Sequence, residues 1–498
     1  MVTMNTRSKL LTAVLGVATV AALVGGCQRA AVPPASVSEQ FANQLREQVT
    51  TDAMMAHLTK LQEIADQNDG NRAAGTPGYD ASVDYVVKVL KDNGFQVQTP
   101  EFDARVFESE PGKLAVGETP IEVRALEFSL PTPEKGLTGP LVALRADDDS
   151  PGCTESDYDG LQVTGALVLV DRGECPFSEK EAAAAKRGAI AVIIADNVDE
   201  EKMGGTLGED TEVKLPVVSV TKSEGAKLRD HHGPVTLTLK AETREIHSRN
   251  IIAQTQTGAS DDVVMVGAHL DSVPDGPGIN DNGSGVAAVL ETAVQLGATP
   301  DVKNAVRFGF WGAEELGLIG SRRYVESLEL TELKNIALYL NFDMLASPNP
   351  GYFTYDGDQS LPLDQRGRPI VPEGSAGIER TLVAYLEATG KAARDTSFDG
   401  RSDYDGFTRA GIPSGGLFSG AEGEMTEEQA KLWGGKAGEP YDPNYHKAGD
   451  TLENINKTAL GILGPGVGYV VGHYAMDVTG KNGVATFDNR TRHTLATP

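Results

Sequence analysis

Cysteine is scarce in this chain. There are three in 498 residues, Cys27, Cys153 and Cys175, with no CxxC pair and no histidine beside the last two, which argues against a thiolate zinc site of the usual spacing. Histidine is little commoner, eight in all, so a lone histidine in a loop carries little weight. Basic residues are outnumbered, 44 Lys and Arg against 71 Asp and Glu for a net charge of −27, and nucleic acid, which needs a basic face, is excluded as a partner. The acidic balance suits a soluble protein working outside the cell. The apolar run from Leu10 to Val24, preceded by Arg7 and Lys9, is too short for a comfortable membrane span and has the layout of a secretory signal. What is present is ordinary: 40% hydrophobic and 23% charged, ample for one large core or two medium ones.

The apolar run ends in Val24-Gly25-Gly26-Cys27, which resembles the lipobox of bacterial lipoproteins. That resemblance implies a signal peptide over residues 1–26, acylation of Cys27, and export to the outer face of the cell membrane on a lipid anchor. An uncleaved anchor helix is the alternative, disfavoured by its length. Residues 27–45, with QRAAVPPASVS from 28 to 38, read as a tether. With Cys27 lipidated, Cys153 and Cys175 remain, and two such cysteines in an exported protein are expected to pair.

Residues 39–68 have helical spacing and read as one or two surface helices. After NRAAGTPGYD, the apolar positions Tyr79, Val83, Val86, Val87 and Leu90 follow a 3.6-residue period closed by Gly94, which predicts a helix. FQVQTPEF then reads as a strand, and residues 46–132 form the opening of the main domain. PTPEKGLTGP, from 131, is a breaker-rich boundary, followed by short strands at 166–170, 189–196, 215–220 and 235–240. The stretch GECPFSEKEAAAAKRGAIAVIIAD within residues 133–243 resembles the protease-associated domain, a small β-rich module inserted in many secreted peptidases. In that family a cysteine upstream often bridges the one before Pro-Phe, a pattern that Cys153 and Cys175 match.

From residue 249 to the end of the second main segment, 244–480, apolar strands alternate with amphipathic helices. That pattern predicts an α/β fold with a mostly parallel, mixed central sheet covered by helices on both faces; residues 481–498 form a tail. Ligands of such sheets bind at the carboxyl ends of the strands, where this sequence places its unusual residues. One strand ends in His269-Leu270-Asp271; residues two apart share a side, so Asp271 can fix one ring nitrogen while the other takes a metal. A second ends in Glu314-Glu315, adjacent carboxylates that are costly together unless a cation or proton relieves them, although an acidic helix start would also explain them. A third ends in Asp343, a carboxylate in an apolar context. His446 follows Tyr445 in YHKAGDTLENIN. The set suits zinc: Asp281 bridging two ions, with His269 and Asp343 completing one site and Glu315 and His446 the other. Two ions about 3.5–4 Å apart polarise a carbonyl and acidify a water, and Glu314, bound to neither, is placed to carry the proton to the leaving amine.

VGAHLDSV, GPGINDNGSGVAAVLE, FGFWGAEELGLIGS, LNFDM and YHKAGDTLENIN together resemble the dinuclear zinc exopeptidases, above all secreted bacterial leucyl aminopeptidases. The likeness covers most of 70–130 and 244–480, and implies the zinc-exopeptidase (phosphorylase/hydrolase-like) fold, two Zn2+ per chain and peptide substrates with a free N-terminus. It makes His269, Asp281, Glu315, Asp343 and His446 ligands, Glu314 the general base and Asp271 the residue orienting His269. It also implies that Tyr445 donates to the oxyanion, and that a cis peptide follows Asp281. FDGRSDYDGF and GGLFSGAE resemble substrate-pocket segments of the same enzymes: Arg401 would contact the substrate backbone and Phe418 would line an apolar pocket, against the plainer readings of a helix-start salt bridge and core packing. Gly276, Gly278, Gly283 and Gly285 would give the Asp281 loop its dihedrals and room.

Three functions compete: a monomeric metallo-aminopeptidase acting on large apolar N-terminal residues, a receptor-like lipoprotein without catalysis, and a carboxypeptidase or glutaminyl cyclase on the same scaffold. The complete ligand set and base oppose the second. Carboxypeptidases need several basic residues, where only Arg401 stands out near the site motifs, and cyclases work with one zinc.

Overall fold

The computed structural model describes residues 36–495 except 118, 145–151, 198–202, 232, 363–369 and 481–482. The signal peptide, Cys27 and most of the tether lie outside the described residues. Helix α1 (Val37–Gln48) already occupies the end of the segment expected to be a tether. Its Ala42 and Leu45 are buried against α12 (Lys457–Met476), where a Cβ on Gly472 would come within 2.9 Å of the Ala42 Cα. Glycine on α12 thus lets the two helices close up.

Helices α2 (Thr51–Asp66) and α3 (Pro77–Asp92) follow, each started by a threonine, Thr50 or Thr76, whose hydroxyl accepts a first-turn amide. In α3 the predicted stripe is buried at Tyr79, Val83, Val86 and Leu90, each aliphatic side chain contributing about 1.5–3 kcal/mol. Gly94, at φ +85°, ends it.

The chain then enters β1 (Gln96–Gln98) and leaves the main sheet along β2 (Glu101–Ser109). A closed barrel is built from β3 (Gly112–Val116), β4 (Thr119–Ala125), β5 (Leu137–Ala143), β6 (Leu167–Asp171), β7 (Ala191–Ala195), β8 (Val217–Val220) and β9 (Pro234–Thr238). Helices α4 (Phe177–Lys186) and α5 (Lys222–Arg229) pack against it. β3 and β4 lie upstream of the break at residue 131, so the barrel takes in part of the segment that composition assigns to the main domain. The Cys153–Cys175 disulfide is formed, leading into α4. β10 (Ala241–Arg249) returns antiparallel to β2, pairing Ala241 with Ser109 through to Arg249 with Glu101.

The main sheet adds β11 (Ile251–Gln254), β12 (Ala259–His269), β13 (Asn304–Trp311), β14 (Ile336–Phe342), β15 (Phe353–Tyr355), β16 (Arg394–Thr396) and β17 (Ser414–Phe418). Its order is β1-β11-β13-β12-β14-β17-β15-β16. The four central strands, β13, β12, β14 and β17, are mutually parallel, with antiparallel pairings toward both edges. One face packs on α2, α3, α6 (Gly285–Leu296), α9 (Ser375–Ala388) and α12 through residues such as Val264, Val266, Phe308 and Leu340. The other packs on α7 (Ile319–Glu326), α8 (Leu330–Asn335) and α10 (Tyr404–Arg409) through Met265, Trp311 and Tyr339. Alternate residues of a strand feed opposite cores, which is why the central strands are apolar without a break. Helix α11 (Glu427–Trp433) precedes the loop that carries His446.

Candidate active site

The strand register assembles the site. In the sheet His269 pairs with Trp311 and Gly267 with Asn341, so His269, the start of the Glu314-Glu315 turn and Asp343 emerge at one level from three adjacent parallel strands. The segment between β12 and α6 folds back over them. Asn280 Oδ1 accepts the amide of Ala346 at 3.0 Å, Asn282 Oδ1 that of Met344 at 3.1 Å, and Ser284 Oγ that of Leu345 at 2.8 Å. Three polar side chains of one loop therefore fix the backbone that follows Asp343. Gly278 has φ +62°, and Cβ atoms on Gly276 and Gly285 would lie 2.2 Å from the Lys447 carbonyl and 2.3 Å from that of Phe342. The glycines divide the work, one supplying a left-handed turn and the others a close approach. The Asp281–Asn282 peptide is cis, as the resemblance implied.

Asp281 is the centre of the arrangement. His269 Nε2 lies 3.3 Å from its Oδ1 and 3.2 Å from Asp343 Oδ1. His446 Nε2 lies 3.2 Å from its Oδ2 and 3.0 Å from Glu315 Oε2. The two oxygens of one carboxylate thus face two histidine–carboxylate pairs. Two ligands about 2.0–2.2 Å from a tetrahedral ion are roughly 3.3–3.6 Å apart, close to these separations. Among the described residues, Glu315 Oε1 is buried without a protein partner, the condition a cation relieves. Nitrogen and oxygen donors in this mixture suit zinc, and the residues fit the group.

The electrostatics follow from crowding acids in a dry place. Burial opposes a charge on His269, but Glu314, Asp343 and Asp281 outweigh it and hold the imidazole's pKa well above its usual value. Burial also opposes a charge on His446, yet Asp281 and Glu315 raise it to about 10. Asp281 is driven below the ordinary carboxylate range: burial works against ionisation, and the two imidazoles prevail. Glu315 is pushed up to about 7 by burial and by Asp281. Glu314, with Oε2 4.0 Å from His269 Nε2, is raised well above normal by burial, then by Asp343, Asp403 and Glu315. A buried carboxyl with a raised pKa is suited to proton transfer. Backbone strain gathers here too: Ala313, Met344 and His446 have φ of 57°, 56° and 56°, a conformation costing about 1–2 kcal/mol for a non-glycine residue.

All five expected ligands, Glu314, Tyr445, Arg401 and Phe418 line one cavity of about 290 Å³. Asp271 stands behind it, fully buried. Its role differs from the expected one in the atom used. His269 Nδ1 meets the Asp271 main-chain oxygen at 3.1 Å, while the carboxylate, 3.8 Å from the ring, accepts the amides of Glu314 and Glu315 at 3.2 and 3.3 Å. Asp271 therefore ties two strand ends together. The Tyr445 ring stacks on His446 at 3.8 Å, and its hydroxyl accepts from Arg401 Nη2 at 3.3 Å, which leaves the phenol hydrogen free to donate. Arg401 Nη1 donates to Glu422 Oε1 at 2.7 Å, a salt bridge across the cavity mouth in place of one at the start of α10. Phe418 packs beside Phe353, with ring centroids 6.1 Å apart.

Sequence reasoning missed Ser402, whose hydroxyl donates to Asp343 Oδ2 at 2.6 Å. It also missed Glu422 and the aromatic wall of Phe353, Tyr355 and Tyr441. Ser402 lies inside the quoted FDGRSDYDGF segment, so its position was marked, though its contact was not.

This chain belongs to peptidase family M28: the family's model matches residues 250–471, and a PA domain model matches residues 137–228. It is 67% identical over 501 residues to the probable lipoprotein aminopeptidase LpqL of Mycobacterium tuberculosis, covering 99% of this chain and 100% of that one. It is 42% identical over 432 residues to an aminopeptidase of Pseudomonas aeruginosa, covering 84% of this chain and 79% of the relative. Among solved structures, an aminopeptidase from Aneurinibacillus sp. strain AM-1 superposes with a TM-score of 0.70 at 28% identity, over 87% of this chain and 96% of that one. A zinc aminopeptidase from Bacillus subtilis gives 0.59 at 28% identity, over 87% and 97%.

Proposed function

We propose that the chain is an aminopeptidase with two zinc ions per chain, acting on peptides with a free N-terminus and a large apolar first residue. The observation that carries the reading is Asp281, whose two oxygens each face a separate histidine–carboxylate pair at 3.0–3.3 Å. His269 and Asp343 would hold one ion, Glu315 and His446 the other, with Asp281 shared. Bound zinc supplies Lewis acidity, polarising the scissile carbonyl and lowering the pKa of a water.

The chain's own residues do the rest. Glu314 takes the proton from the attacking water and delivers it to the leaving amine. Tyr445, whose hydroxyl already accepts from Arg401, donates its hydrogen to the developing oxyanion. The cavity is lined by Asp281, Glu314, Glu315, Asp343, Asp399 and Glu422 against Arg401, His269 and His446, an acidic balance that suits a cationic α-amino group. Arg401 spends its charge on Glu422, which argues against capture of a C-terminal carboxylate. Arg401 contacts the substrate backbone, and Phe418 with Phe353 and Tyr355 receives the first side chain. Export and acylation at Cys27 are supported by the N-terminal pattern, by the disulfide and by the lipoprotein name of the 67% identical relative.

Purified protein should hydrolyse leucyl-p-nitroanilide, lose activity to a chelator and regain it with zinc. Glu314→Ala should keep zinc and turn over about 10²–10⁴-fold more slowly. Zinc-replete protein inactive on every free-amino peptide, but active on acetylated ones, would sink the reading.

A further inference from the structure

Arg72 lies far in sequence from every residue of the site and is fully buried. Its side chain is spent on one segment, the loop joining His269 to Asp281. Nε donates to the Pro277 carbonyl at 2.9 Å, Nη2 to that of Gly278 at 2.7 Å, and Nη1 to that of Leu270. The Arg72 amide donates to Ser272 Oγ at 2.9 Å, and the Ser272 amide returns a bond to the Arg72 carbonyl at 3.3 Å. Leu270 follows His269 directly; Pro277 and Gly278 lead into Asp281. Three buried carbonyls converging on one point need several donors in a fixed fan, which a guanidinium has and an ammonium lacks.

The opposite edge of the same loop is held by a carboxyl group. Asp450, 2% exposed, accepts the Asn280 amide on Oδ1 at 2.8 Å and the Asp281 amide on Oδ2 at 2.9 Å. Its own carbonyl accepts the Ile279 amide at 3.1 Å, and its amide donates to Lys447 at 3.0 Å, next to His446. The loop is gripped by its carbonyls on one side and its amides on the other.

We propose that Arg72 and Asp450 are a positioning pair for the metal centre, holding the loop so that Asp281 presents one oxygen to each of two ions. The proposal rests on the two-ion reading above. Neither residue is a ligand; both act through the backbone of the bridging carboxylate. Arg72 also supplies a buried positive charge to a region crowded with Asp271, Asp281, Glu315 and Asp450. Burial lowers its pKa to about 10, with those carboxylates opposing the shift, so it stays charged at neutral pH.

The test uses the full-length protein and three substitutions, Arg72→Lys, Arg72→Met and Asp450→Asn. Circular dichroism reports the fold; metal analysis and competition with a chromophoric chelator report zinc stoichiometry and affinity; kcat and KM on leucyl-p-nitroanilide are measured separately at saturating zinc. Outer partners of metal ligands are worth about 10–100-fold in affinity or activity. Arg72→Met and Asp450→Asn should therefore bind one of two zinc ions at least about tenfold more weakly and lose kcat, with KM within twofold because the substrate pocket is untouched. Arg72→Lys, which restores charge without the fan of donors, should fall between parent and Arg72→Met. Folded Arg72→Lys or Asp450→Asn with parental zinc affinity and kcat overturns the proposal, as does failure of all three to fold, which would make the role purely architectural. If Arg72→Met alone fails to fold, the other two decide. A parent protein holding fewer than two zinc ions refutes the two-ion reading, and the proposal with it.

Discussion

Removing the Ser402 hydroxyl should weaken the metal centre without touching a ligand. Ser402 is the last member of a buried chain of hydrogen bonds: Trp311 Nε1 donates to Tyr339 Oη at 2.8 Å, Tyr339 to Asn341 Oδ1 at 2.9 Å, Asn341 Nδ2 to Ser402 Oγ at 2.8 Å, and Ser402 to Asp343 Oδ2 at 2.6 Å. With Ser402 and Asn341 at 4% and 1% exposure, water cannot easily replace a missing partner. Ser402→Ala strands the Asn341 amide donor, costing about 1–3 kcal/mol of stability. It also frees the Asp343 carboxylate to rotate, which should reduce zinc affinity or kcat/KM by about 10–100-fold, or about 1.4–2.8 kcal/mol. Tyr339→Phe, two bonds upstream, orphans the Trp311 indole N–H and should cost similar stability, yet leave kcat/KM within about threefold because Ser402 still grips Asp343. Leucyl-p-nitroanilide turnover at saturating zinc, chelator competition and thermal melts separate the two effects. Ser402→Ala with parental zinc affinity and kcat/KM would refute the reasoning, and so would a Tyr339→Phe enzyme as impaired as Ser402→Ala.

Phe418→Ala should lower the preference for leucyl over alanyl substrates by about 10-fold, the worth of a methylene or two in an apolar pocket; an unchanged ratio would place Phe418 in the packing alone. Glu379, 8% exposed, is pushed up to about 7 by burial and neighbouring carboxylates. A raised folded value means that its contribution is complete below the ordinary carboxyl range and is lost as pH climbs through 7. Glu379→Gln should accordingly flatten the fall in unfolding free energy between about pH 4.5 and 7.5, a difference of at most about 3 kcal/mol; parallel curves for variant and parent would contradict this. The Cys153–Cys175 bridge closes a separation of 22 residues, worth about 3 kcal/mol in chain entropy. Cys153→Ser with Cys175→Ser should lower the barrel's melting temperature, and an unshifted melt would count against that accounting.

What the sequence revealed was whatever one strand or one short motif carries. His269, Glu314 and Asp343 are legible because each ends an apolar strand, and parallel pairing turns three strand ends into one level. What it concealed depends on pairing between distant segments. β3 and β4 read as part of the first main segment because their partners, β9 and β8, lie about a hundred residues on. The helical spacing of residues 39–68 showed α1, but not what buries its Ala42 and Leu45, because the glycines that receive it are on α12. Asp271 was found, but the atom that holds His269 is its carbonyl, and no pattern of side chains reports a main-chain contact.

Arg72 and Asp450 show the same limit at the site itself. Ligands are found from residue type, since few side chains bind zinc. The groups that aim a ligand are any that can reach its backbone, and Arg72 does so from another helix connection altogether. A preorganised metal site needs both kinds. The segment from His269 to Gly285 is so rich in glycine because two clamps, two strand ends and a bridging carboxylate must all meet its main chain. Side chains there would obstruct the backbone contacts that set the Asp281 geometry.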